Sequence, residues 1–259
     1  MFNWQIYFYS LYAMGLFALI GWMFSLVTDK VSHVDIMWSL FFLLGGYTVA
    51  LLGYESSPRI LITLTLLTIW GVRLAVHIAW RGWGHEDKRY EVIRANNEPF
   101  FWFKSIYIVF ALQALLAWVI SLSIYGALDG EEPFQALDYL GVVLIVFGLY
   151  WEIVGDWQLT KFKANPANQG QVLNTGLWYY SRHPNYFGEC CVWWGFFLLA
   201  LAAGAWWAII SPLLMTLLLL KVSGVSLLES TITERRPAYA DYIKHTNAFV
   251  PGLPKHAKN

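Results

Sequence analysis

Apolar runs near the ~20 residues that carry a helix across a bilayer fall at 5–27, 35–53, 58–80, 104–125, 137–158, 188–203 and 205–227. This pattern predicts an all-α membrane protein with seven transmembrane helices. The last two runs meet at Gly204 and are expected to form a tight helical hairpin. The first run follows MFNWQIYFYS, which has neither a positive n-region nor a small-residue cleavage site, so a retained span is expected there, not a signal peptide.

The polar stretches between the runs set the expected orientation. Arg81, Lys88, Arg89, Arg94 and Lys104 follow span three, Lys161, Lys163 and Arg182 follow span five, and Arg235, Arg236, Lys244, Lys255 and Lys258 lie in the tail. With seven spans all three groups share one side with Lys30, which the positive-inside rule makes cytoplasmic. The opposite side keeps Arg59 and the acidic stretch Tyr125 to Pro133, so the N-terminus is expected outside and the C-terminus in the cytoplasm. Two cytoplasmic segments, 82–103 and 161–181, exceed ordinary connection length and are expected to carry function. No linker tract or long repeat interrupts the chain, which reads as one domain over 1–259.

Composition agrees with this reading. Hydrophobic residues make up 58% and charged residues 13%, against about 25% charged in soluble domains. The formal net charge of zero gives no reason to expect a nucleic-acid partner. Cys190 and Cys191 are adjacent within an apolar run, so they match no metal-ligand spacing and no structural bridge.

Polar residues at the ends of the spans recur at helical spacing. RHPNYFGE places Arg182, His183, Asn185, Tyr186 and Glu189 at a membrane boundary, and Pro184 suits the first turn of a helix on which Asn185 and Glu189 share a face. Such groups are costly there without partners, which points to a bound polar molecule. The plainer reading makes Arg182 and His183 interfacial anchors. Arg73, His77 and Arg81 step by four along span three, and Glu152, Asp156 and Lys163 fall on one side of span five. SHVDIMW sets His33, Asp35 and Trp38 at the head of span two, where Asp35 is either a helix-start carboxylate or a catalytic one. In the tail, Glu229, Arg235, Tyr239 and Tyr242 are spaced so that several could turn toward one cavity, although Arg235 with Arg236 also suits anchoring. There is no GxGxxG, GxxxxGK[ST], HExxH or GxSxG string, which removes support for soluble dinucleotide folds, ATP motors, zinc proteases and ordinary serine hydrolases.

LWYYSRHPNYFGE, followed by GVSLLESTITERRPAYADYIKHTNAFVP, resembles the C-terminal region of the steroid 5-alpha-reductase family, in particular its bacterial branch of uncharacterised membrane proteins. The likeness extends to VDIMW, LAVHIAWRGWGHEDKRY and GDWQLTKFK, so it covers nearly the whole chain, with the signature region at about 148–251. It implies NADPH-dependent reduction of the carbon–carbon double bond of a steroid-like, 3-oxo-delta-4 enone by seven helices, with lipids as surroundings. It also implies a bacterial inner-membrane location with the cofactor site toward the cytoplasm. On this resemblance Asp35 sits where the family has a catalytic glutamate, Asn185 and Glu189 match residues beside the nicotinamide, Asp156 matches an aspartate contacting cofactor, and Arg73 and His77 fall on the cofactor wall. Trp38, Arg81, Asp87, Arg89, Tyr90, Glu152, Lys163, Arg182, His183, Tyr186, Glu229, Arg235, Tyr239 and Tyr242 complete the candidate cofactor residues.

The chain departs from the family at two places. Val34–Asp35 replaces a Gln–Glu pair, and Trp70 falls where the steroid enzymes have the tyrosine that faces the substrate ketone, leaving His33 or a tyrosine of another helix as the expected proton donor. The RHPxYxG-like string is shared with S-adenosylmethionine-dependent membrane methyltransferases of the isoprenylcysteine and phospholipid type. That activity is the first rival. A non-enzymatic lipid-binding or transport protein, using the polar cluster as a path, is the second.

Overall fold

The computed structural model describes residues 3–53, 57–82, 86–130, 133–222, 224–229 and 232–254, without the side chains of residues 227, 228, 234 and 235. Among the described residues, six helices are long and apolar enough to cross a membrane: α1 (Trp4–Thr28), α2 (Val34–Gly53), α3 (Pro58–Gly82), α5 (Phe101–Leu128), α6 (Ala136–Ala164) and α8 (Pro184–Ala202). The apolar helix α9 (Trp206–Val222) is shorter. Between them lie α4 (Lys88–Asn97) and α7 (Leu177–Tyr180), and the tail forms α10 (Val225–Glu229), α11 (Ile232–Arg235) and α12 (Tyr239–His245). The chain is an all-helical, multi-pass integral membrane protein. The contacts divide into two compact units, Met1–Gln135 with Leu199–Ile210, and Ala136–Leu198 with Ser211–Asn259.

In the first unit, α2 packs against α1 and α3, and α5 packs against all three. Local chemistry sets the helix starts. Asn3 caps α1 by accepting from the Ile6 amide, and Pro58 opens α3 just after Ser57, whose hydroxyl accepts from the Ile60 amide. Because every face of α1 is apolar, its buried stripe is marked by small and hydroxyl residues: Ser10, Ala18, Gly21 and Ser25 with Tyr7 and Met14. Small side chains let helices approach closely where lipid supplies no hydrophobic contrast. A Cβ at Gly46 would stand 2.8 Å from a Leu67 methyl, which shows how near α2 lies to α3. Phe41, Phe42, Leu67, Trp70, Phe110, Ile120 and Ile124 fill the centre of this unit.

In the second unit, α6 and α8 run antiparallel along a seam of glycines. Gly148 and Gly155 on α6, and Gly188 and Gly195 on α8, recur every seven residues. A Cβ at Gly148 would lie 2.5 Å from the Gly188 carbonyl oxygen, and one at Gly188 would lie 2.6 Å from the Glu152 amide nitrogen. A seven-residue repeat keeps one seam in contact along two slightly supercoiled helices, so Glu152 and Asp156 are carried along the face that meets Asn185. The turn expected at Gly204, in the stretch Leu199–Ile210 of the first unit, is present: Gly204 has φ +84°, a left-handed conformation that suits a residue without a side chain.

Candidate functional site

One polar cluster of the first unit lies around the head of α2. Asp35, in the first turn of α2, accepts a hydrogen bond from the Tyr90 phenol at 2.6 Å on Oδ1 and from Arg89 Nη2 at 2.7 Å on Oδ2. Both donors come from α4. That short helix is capped by Asp87, whose Oδ1 accepts from the Arg89 amide at 2.8 Å and from Arg89 Nε at 3.0 Å. Further ties seat α4 on the turn between α1 and α2. Glu86 accepts from the amides of Val31 and Ser32, both at 2.9 Å, and Arg94 donates to the Asp29 carboxylate at 2.9 Å and to its carbonyl at 2.8 Å.

This arrangement sets the proton inventory. Burial, and then the Asp35 carboxylate, push the Tyr90 phenol above its usual range, so it stays a neutral donor. For Arg89, burial works against the charge, but Asp35 and Asp87 more than offset it and hold the guanidinium above its ordinary value. Burial likewise works to raise Asp87, and the hydrogen bonds and charge of Arg89 outweigh it and hold the carboxyl low.

Other residues singled out in the sequence fall elsewhere in this unit. Trp38 packs edge-on to Phe42, which meets the fully buried Trp70 at 5.6 Å between ring centres. The His33 imidazole lies between Phe24 and Phe110, and its Nε2 donates to the Gly21 carbonyl at 2.8 Å, so that N–H is committed to α1. Arg73 and His77 are half-buried on α3, whereas Arg81 is exposed at its end.

The second unit holds two polar clusters. In one, Asn185 Nδ2 donates to Asp156 Oδ1 at 3.0 Å, while Asn185 Oδ1 is buried and meets no hydrogen-bond donor among the described residues. Glu152, one turn before Asp156, and Glu189, one turn after Asn185, are also buried. In the other, Glu229 is a hub. It accepts from Arg182 Nε at 2.7 Å and Nη2 at 2.8 Å, pairs with His183 Nε2 at 2.9 Å and meets the Tyr239 hydroxyl at 3.5 Å. Burial works to raise the Glu229 carboxyl, but the bonds and charges of His183 and Arg182 outweigh it and bring it down to about 2. The His183 ring stacks parallel to Tyr186, with centres 5.6 Å apart. Tyr242 donates to the carbonyls of Trp178 and Ser181. Lys163 is exposed, and the side chain of Arg235 lies outside the described residues.

Several expectations are thereby sharpened. Arg89 and Tyr90, grouped by the resemblance with the cofactor residues, meet the Asp35 carboxylate, and Arg182 and Glu229 meet each other. Sequence reasoning missed Glu86, whose place beside Asp87 gives no hint that it caps a turn some 55 positions away. It also missed Gln158, which accepts from the Leu177 amide at 3.0 Å, and the glycine seam. The repeat of Gly141, Gly148 and Gly155 was a signal available for the seam.

Multi-pass apolar helices with buried polar clusters at helix ends define an integral membrane protein. The chain belongs to the DUF1295 family of proteins of unknown function, whose family model matches residues 21–246. It is similar to an uncharacterised protein of Schizosaccharomyces pombe, 29% identical over 207 residues that make up 66% of this chain and 58% of the relative. The chain thus spans under two thirds of that relative's length. No solved structure matches.

Proposed function

We propose that this protein reduces the carbon–carbon double bond of a lipophilic, steroid-like 3-oxo-delta-4 enone within the membrane, using NADPH. The observation that carries the reading is the Tyr90 phenol held 2.6 Å from Asp35 Oδ1 with Arg89 on the other oxygen. Reduction of an enone places negative charge on the carbonyl oxygen, and a neutral O–H donor is the group that lowers its cost. Arg89 keeps Asp35 occupied as an acceptor, so Tyr90 can turn its proton to a carbonyl without leaving the carboxylate bare. Tyr90 then takes the place that the resemblance leaves open at Trp70, and Asp35 acts by orienting it.

NADPH, when bound, supplies the hydride. Asn185 and Asp156 are the residues that fit it: the buried Asn185 Oδ1 offers an acceptor to an amide N–H, with its orientation set by the bond from Nδ2 to Asp156. The basic segments favour a cofactor approaching from the cytoplasm, in a bacterial inner membrane, with α9 as a seventh span, the N-terminus outside and the C-terminus inside.

The test is a melting curve of the detergent-solubilised protein with each nucleotide, followed by NADPH oxidation with a 3-oxo-delta-4 steroid. NADPH should raise the melting temperature, as a ligand specific to the folded state must. Stabilisation by S-adenosylmethionine alone would replace the reductase reading with the methyltransferase one.

A further inference from the structure

The segment 181–183, between α7 and α8, lies outside the helices and, with the α7 end at Tyr180, takes most of its hydrogen bonds from the tail. The Arg182 amide donates to the Asn247 carbonyl at 2.9 Å, the Gly252 amide donates to the Tyr180 carbonyl at 3.0 Å, and the Ser181 hydroxyl donates to the Phe249 carbonyl at 2.8 Å. Tyr242 covers the Trp178 and Ser181 carbonyls. The Arg182 side chain, 7% exposed, spends Nε and Nη2 on Glu229 and Nη1 on the carbonyls of Thr246 at 2.5 Å and Ile243 at 3.2 Å. Phe249 also packs edge-on to Phe187 of α8, 6.0 Å between ring centres.

A link with no ladder of its own has the conformation that its partners impose, because buried backbone groups must be satisfied. Asn185 is the second residue of α8, two positions beyond the gripped His183. The link that leads directly into Asn185 is therefore held from the tail. We propose that Glu229 and the segment 239–252 form a strap that orients Asn185, with Arg182 and Glu229 as positioning residues that touch no ligand. Arg182 is thereby assigned to holding the strap and not to binding a phosphate.

The test combines hydrogen exchange with NADPH affinity on the full-length protein carrying Glu229→Gln, Arg182→Lys or Tyr242→Phe; the affinity arm rests on the proposed function. Glu229→Gln should speed exchange in 178–187 and 239–252 together and weaken NADPH about 10- to 100-fold, the scale of losing hydrogen bonds to a charged group. Arg182→Lys, which keeps the charge without the fork, should fall between Glu229→Gln and wild type. Faster exchange confined to 239–252, or unchanged NADPH affinity when both segments loosen, would overturn the strap. If the wild-type protein does not bind NADPH, the reductase reading fails, and the strap stands or falls on the exchange pattern alone. Tyr242→Phe removes one hydroxyl from two carbonyls and supplies the same readings should Glu229→Gln fail to fold.

Discussion

Replacing Tyr90 by phenylalanine removes one oxygen and leaves the ring in place, which isolates the proposed donor. Two costs are separable. The fold loses the 2.6 Å bond from Tyr90 to Asp35, but Arg89 remains 2.7 Å from the other carboxylate oxygen, so the carboxylate is not stranded. The stability loss should therefore lie near the low end of the range for a hydrogen bond to a charged group, about 1.5 kcal/mol. On the proposed role, turnover loses the donor to the developing charge, which costs about 2.7–4 kcal/mol, or roughly 100- to 1,000-fold in rate. NADPH oxidation and the melting temperature, measured on the same purified sample, distinguish the two. The expected result is a large fall in kcat, little change in the affinity for NADPH and a melting temperature lowered by a few degrees. Turnover of Tyr90→Phe within threefold of wild type would refute the donor role, and an equal fall of activity and folded fraction would make Tyr90 purely structural.

Asp35→Asn should reduce kcat by about 100-fold or more while leaving NADPH affinity nearly unchanged, and unaltered turnover per folded molecule would remove Asp35 from the reaction. Asn185→Ala should instead weaken NADPH binding, read by the loss of its thermal stabilisation. Gly188→Ala should destabilise the protein by about 1–3 kcal/mol, because its Cβ would lie 2.6 Å from backbone atoms of α6, whereas Gly15→Ala, with open space around it, should be neutral in the same melting assay. Since the Glu229 carboxyl is held down to about 2, its contribution is complete above its unfolded value near 4.5 and is lost as pH falls through about 2. Exchange protection of 239–252 should accordingly be flat from pH 7 to pH 5, and release within that window would contradict the Arg182–Glu229 pairing. Single cysteines at Glu91, Gln169 and Lys244 should all resist a membrane-impermeant reagent added to intact cells, and labelling of any one would break the seven-span arrangement.

Much of the scaffold was legible in the chain because lipid imposes a simple rule: backbone groups must be satisfied within each span, so long apolar runs become helices. The runs 58–80 and 137–158 appear as Pro58–Gly82 and Ala136–Ala164, Pro184 opens α8, and the turn falls at Gly204. Helical spacing likewise put Asn185 with Glu189, and Glu152 with Asp156, on shared faces, and Glu152, Asp156 and Glu189 are buried. Which face of each span turns inward was a different matter. Met14 is wholly buried and Tyr12 is 69% exposed on the same helix, yet both are apolar, and in hydrocarbon that contrast carries no information. The polar partnerships were hidden for another reason. Arg182 is equally suited to a phosphate, a headgroup or a carboxylate, and only the fold brings Glu229, 47 positions away, to its guanidinium. Arg89 and Tyr90 likewise reach Asp35 across 54 and 55 positions because Glu86 and Arg94 seat α4 on the α1–α2 turn. Sequence spacing defines neighbours only within a helix, a few residues apart, whereas the partner of a charge at a helix end is chosen by which other ends the packing of whole helices delivers beside it.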